Sequence, residues 1–157
     1  MQGIRILDLS RVLAGPWATQ QLADQGAEVI KVEPPEGDES RGFAPIVQGK
    51  STYFLALNRN KRSICLDLKT EAGREVLAQL VAETDVVVEN YRPGIAEALG
   101  LDWTALRALH PRLIYVAIRA FGETNPEWGS RPGYDLILQS VGGAASFNGH
   151  PGNPPAR

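Results

Sequence analysis

The side chains able to do chemistry gather where apolar runs end. The run from Ile4 to Leu9 breaks into Ser10-Arg11-Val12-Leu13-Ala14-Gly15-Pro16. A small residue and a glycine there let a ligand come close to the backbone. The same residues also suit a tight turn kept small for packing, and both readings stay open. Glu33 closes a second run, Ala27-Glu28-Val29-Ile30-Lys31-Val32, where an acid can hold a ribose hydroxyl. A dinucleotide is the obvious ligand for that pair of features. The Arg11–Pro16 turn, however, offers only Gly15 where the dinucleotide fingerprint requires three glycines. Asn90-Tyr91-Arg92-Pro93-Gly94 follows a third run, Asp85 to Glu89. Arg59, Lys61 and Arg62 crowd one basic turn, and such a run of charges is ordinarily just solvated.

These positions need a scaffold, and the pattern supplies one. Gly3 to Val32 reads as strand, turn, helix and a second strand, the unit of a doubly wound sheet whose ligands sit at the carboxyl ends of its strands. A Pro- and Gly-rich loop, 34–51, leads to the apolar run Tyr53 to Leu57, the basic turn, and a strand from Ser63 to Leu68. Thr70 is placed to cap the next helix, with Val76, Leu77, Leu80 and Val81 at helical spacing on one face. Asp85 to Glu89 is a buried-type strand. A short helix starts near Asp102 and stops at His110-Pro111, and Leu113 to Ile118 reads as a strand covered on both faces. Pro132 suits the first turn of a last helix carrying Tyr134, Ile137, Leu138 and Val141. The expectation is an α/β fold: a Rossmann-like, mostly parallel sheet with helices on both faces, forming one domain over 1–157.

Composition narrows the function. A net charge of −2 gives no field that favours nucleic acid or an anionic membrane. One cysteine, Cys65, rules out an internal disulfide and reads as a small buried hydrophobe. With no secretory or membrane-spanning pattern, a cytoplasmic setting is expected. His110 is placed to meet free carbonyls at a helix end, His150 has no evident partner, and Trp17 and Trp103 are expected to pack.

Ser10 to Pro16 and Gly26 to Glu33 together resemble the opening of the family III CoA-transferases, which include the 2-methylacyl-CoA racemases. The likeness continues through Asn58 to Ser63, Leu66 to Lys69, Asp85 to Gly94, Pro111 to Tyr115 and Arg131 to Asp135. It spans essentially the whole chain but matches the motifs of the family's amino-terminal part. Family members are more than twice this long, add a smaller second domain and form interlocked homodimers, so the chain is expected to be an amino-terminal portion.

The resemblance implies that coenzyme A is bound as a substrate, with no permanently held cofactor and no metal. Val12, Leu13 and Ala14 would pack on it. Asn90 and Tyr91 would offer an amide and an aromatic face, and Arg119 would line the site. Lys69 and the Arg59-Lys61-Arg62 cluster would meet its phosphates. The partners implied are an acyl-CoA and a carboxylic acid. In the family an aspartate attacks the thioester, giving a mixed anhydride and CoA thiolate. The thiolate returns to form an aspartyl-CoA thioester, from which the acceptor acid collects CoA. Gly152 stands at that aspartate's place in the run Asn148 to Pro155. Asp135 is the nearest substitute, although an acid in a first helical turn also has a structural reason to be there. Where the racemases carry a proton-moving histidine, this chain has Tyr134, a poor replacement. The alternatives are a non-catalytic remnant and, behind it, a racemase or a dinucleotide-binding module.

Overall fold

The computed structural model describes residues 1–122, 124–150 and 152–154. It comprises two compact units, Met1–Ile118 and Arg119–Arg157.

The first unit begins with strand β1, Arg5–Asp8, helix α1, Ala14–Asp24, and strand β2, Glu28–Glu33. One turn of 3-10 helix, Glu39–Gly42, leads into a two-residue hairpin of β3, Ile46–Val47, and β4, Lys50–Ser51. The apolar run after it is helix α2, Thr52–Asn58, because the Ser51 hydroxyl accepts the Phe54 N–H and caps it. Strand β5, Lys61–Cys65, and helix α3, Glu71–Ala82, follow. The Thr70 hydroxyl accepts from Gly73 N at 3.1 Å, the cap expected there. Strand β6, Val86–Glu89, helix α4, Ile95–Ala98, helix α5, Trp103–Leu109, and strand β7, Ile114–Ala117, complete the unit. The α5 cap is Asp102, whose carboxylate accepts from Thr104 N and Ala105 N.

All five long strands are parallel, in the order β5-β2-β1-β6-β7, with β1 at the centre. The order reverses on either side of β1, and in sheets of this topology the ligand crevice opens at that point. Side chains alternate between the two faces. Leu7, Leu9, Val32 and Val87 pack with Leu77 and Val81 of α3, Leu106 of α5, and Leu101 and Leu113. Ile6, Val29 and Val88 pack on the other face with Ala23 of α1 and with Ala27. The α/β expectation of a mostly parallel sheet with helices on both faces is met.

Several local expectations are corrected. Strand β7 lies at the sheet edge and is covered on one side only, leaving Ile114 58% exposed. Cys65 ends the opposite edge strand and is exposed, so it is no core hydrophobe. Trp17 is exposed, whereas Trp103, though partly exposed, packs on Tyr115 and beneath Arg107. His110 Nδ1 accepts from Arg112 N at 3.2 Å; the ring closes its own turn and meets no free carbonyl among the described residues.

In the second unit, helix α6, Asp135–Val141, begins after Pro132 and is followed by a 3-10 turn, Ala144–Phe147. Tyr134, Ile137, Leu138 and Val141 are all exposed, so the apolar stripe read in the sequence is uncovered.

Candidate functional site

The turn after β1 is held by side chains arriving from three other segments. Asp8 is fully buried at the end of β1, and its carboxylate accepts from the Ser10 N–H and hydroxyl, from Thr19 Oγ1 at 2.6 Å and from Lys61 Nζ at 2.9 Å. Lys31, buried on β2, donates to Ser10 O at 2.8 Å and pairs with Asp38 at 2.8 Å. Both oxygens of Asp38 lie 3.4 Å from Val12 N. Asn90 accepts from Arg11 N and donates to Arg11 O, each at 2.8 Å. Every polar backbone group from Ser10 N to Val12 N thus has a side-chain partner.

This clamp holds an uncomfortable backbone. Val12 has φ 67°, the left-handed region that a β-branched residue rarely enters. Leu13 and Ala14 follow, both exposed, and α1 starts with no side-chain cap. The N–H groups of Leu13, Ala14 and Gly15 find no acceptor among the described residues, as expected for the first turn of an uncapped helix. Gly15 is buried tightly against Ser10, where the sequence left open whether the small residue served packing or ligand approach. It serves packing, and the exposed face belongs to Leu13 and Ala14.

The other expected residues fall as follows. The Asn90 amide spends one hydrogen and one lone pair on Arg11, which joins the 10–14 turn to the 90–94 turn and leaves it one more donor and acceptor. The Tyr91 ring packs against the larger core cluster. Burial pushes its hydroxyl up to about 12, with Arg11 opposing and Glu89 adding to the rise. Glu89, buried beneath, accepts from Tyr91 N at 2.7 Å and from the Tyr115 hydroxyl at 2.9 Å. Lys69 is exposed in the loop before α3. The basic cluster does not act as one patch. Lys61 turns inward onto Asp8, Arg59 pairs with Asp24, and Arg62 pairs with Glu28. Desolvation by burial lowers the Lys61 pKa against the pull of Asp8.

Glu33 is fully committed. It takes a bidentate pair from Arg41 at 2.6 and 2.7 Å, a hydrogen bond from Ser63 Oγ, and one from Asp38 N at 3.0 Å. No oxygen is left facing out for a ribose, which removes the second feature of the dinucleotide reading. Burial alone would raise its pKa from 4.5, but the bonds from Arg41, Ser63 and Asp38 N outweigh it and hold the carboxyl down to about 2. Burial likewise works against Asp38, and Lys31 overcomes it, so that carboxyl is also lowered. A depressed carboxyl contributes stability present above its unfolded pKa and lost as pH falls toward its folded one. The urea midpoint is therefore expected to hold from neutral pH to about 5 and to decline between about 4.5 and 2. Glu33→Gln should flatten that decline; an equally steep acid limb in the variant would contradict it.

Arg119 and Asp135 lie in the second unit. Asp135 opens α6, is exposed, and accepts from Gln139 Nε2 at 2.6 Å. Gly152 has φ 82°, a backbone that suits glycine, while Pro151 and Pro155 of the same run lie outside the described residues. Sequence reading missed Lys31, Asp38 and Asp8. An alternating strand that places lysine on a core face was the available signal, but lysines are rarely buried.

Comparison with known proteins adds three findings. The profile described as CoA-transferase family III matches residues 1–157. The chain is 47% identical over its whole length to a succinate–glutarate CoA-transferase of Agrobacterium fabrum, covering 41% of that protein. It is 42% identical over 99% of its length to an acetyl-CoA:oxalate CoA-transferase of Acetobacter aceti, covering 40% of it. A crystal structure of a CAIB/BAIF family protein from Brucella suis superposes with a TM-score of 0.93 at 46% identity, over 99% of this chain and 42% of that one. The chain thus spans about two fifths of the length of these relatives. Among the described residues no helix is long and apolar enough to cross a membrane.

Proposed function

Because the chain belongs to CoA-transferase family III, we propose that its first unit binds coenzyme A at the turn after β1, as part of a transferase that moves CoA from an acyl-CoA to a carboxylic acid. The observation that carries this reading is the clamped turn itself. Exposed Leu13 and Ala14 follow a strained Val12 at the carboxyl end of the central strand, where α/β sheets of this order take their ligands. Leu13 offers apolar surface to the pantetheine arm, and Ala14 is small enough to let it lie close. Asn90 retains a donor and an acceptor beside them. Lys69, in the loop after β5, supplies positive charge for the phosphates, since Arg59, Lys61 and Arg62 are already paired with carboxylates.

The chemistry needs a carboxylate that water does not shield. Asp135 is exposed and hydrogen-bonded to its own helix, and Gly152 has no side chain to offer. The chain is accordingly proposed to hold CoA without completing the transfer through either residue. The acids named for its relatives, glutarate and oxalate, are both dicarboxylates, and the acceptor is proposed to be of that class.

Calorimetric titration tests the reading. CoA and a short acyl-CoA are expected to bind the purified chain and NAD to give no heat. NAD binding without CoA binding would overturn the assignment, as would silence with all three ligands.

A further inference from the structure

The Lys31–Asp38 pair is costly to bury, with both side chains 1% exposed. It is not needed to fill the sheet, since apolar residues of similar size pack as well or better. What it does reach is backbone. Lys31 Nζ takes Ser10 O at 2.8 Å, and Asp38 faces Val12 N with both oxygens, at 3.4 Å, while also capping the Glu39–Gly42 turn through Ser40 N at 2.9 Å. The two contacts bracket Arg11, whose own N–H and carbonyl are taken by Asn90. The segment held in this way is the one that contains Val12 at φ 67°. A valine does not stay in that region unless the surroundings determine it.

We infer that Lys31 and Asp38 are positioning residues for the ligand-bearing turn: a buried ion pair holds Val12 left-handed, so affinity for CoA depends on two side chains that lie beneath the turn. The inference rests on the reading that CoA docks on residues 12–14. Without the pair, Ser10 O and Val12 N lose their partners, and Val12 relaxes toward ordinary backbone angles. Leu13 and Ala14 then swing out of register with Asn90. The ligand has to pay for restoring the turn, and its affinity drops.

The test uses the full chain and CoA itself. Lys31→Met with Asp38→Asn removes both charges together, so neither is stranded, and leaves an acceptor for Ser40. This variant is expected to melt near the wild-type temperature yet bind CoA about tenfold more weakly, the loss that corresponds to roughly one hydrogen bond. Adding Val12→Gly to it should recover part of that affinity, because glycine takes a positive φ unaided. A merely structural role for the pair would leave affinity insensitive to that rescue. Wild-type affinity in the folded pair variant, or a loss that Val12→Gly does not touch, overturns the inference. If the pair variant does not fold, Lys31→Gln with Asp38→Asn, which also strands no charge, carries the same comparison, and unchanged affinity there overturns it too. Failure of the wild-type chain to bind CoA would instead sink the functional reading, so the two failures are told apart by the wild-type titration.

Discussion

Asp8→Ala is expected to be the most damaging single substitution in the first unit. It strips Lys61, 1% exposed, of the carboxylate it pairs with and leaves a buried ammonium facing two carbonyl-type oxygens, Pro16 O and Asn58 Oδ1. Removing one partner of a buried pair costs about 3–5 kcal/mol. The Ser10 N–H and hydroxyl lose their acceptor as well, while Thr19 Oγ1 keeps Gly15 O and Pro16 O, so the loss should fall in the upper part of that range. For a domain whose total stability is about 5–15 kcal/mol, that is enough to shift the urea midpoint severely or prevent folding. The control is the double variant Asp8→Ala/Lys61→Met, which should recover a substantial part of the loss since no charge is left unpaired. If the double variant is no more stable than the single one, the stranded cation is not the cause.

Gly15→Ala should be the second largest, although alanine is intrinsically the better helix former by about 1 kcal/mol. A β-carbon at 15 would stand 2.2 Å from both the β-carbon and the hydroxyl of Ser10. Ser10 cannot step aside, because its N–H and hydroxyl are held by Asp8 and its carbonyl by Lys31. Either α1 moves off the sheet or the clamp opens. Overpacking of this kind costs about 1–3 kcal/mol. CoA affinity should fall by more than about tenfold, since each factor of ten needs only 1.4 kcal/mol and the clash distorts the docking turn directly. Thermal melts and titration of the same sample read both effects. A variant as stable as wild type with intact affinity would show that the turn yields to the added methyl group.

Much of the scaffold was legible because its signals are local. Thr70 and Asp102 announce their helices through hydroxyl and carboxylate caps a few residues from the amides they serve. The apolar alternation of Ile6 and Leu7 shows as a strand with two covered faces. The site was legible only in outline. Its turn follows from the position of Ser10 to Pro16 after the first strand, but the clamp depends on pairs separated by 21 to 79 residues, from Lys31 with Ser10 to Asn90 with Arg11. Spacing along the chain carries no trace of such contacts. Glu33 shows the same limit: its position at a strand end suggested a ribose, and only the fold reveals that Arg41 and Ser63 already occupy it. The exposure of Ile114 on β7 was hidden for a related reason, since strand order, and with it the identity of the edge, is a property of the whole sheet.

The lone thiol at the far margin of β5 has a practical consequence. Since Cys65 is exposed and is the one cysteine of this sequence, a disulfide between chains can only link one copy to another, and such cross-linking stops at pairs. A maleimide dye added after reduction and removal of the reductant will therefore attach once per chain, at Cys65, with no engineered handle.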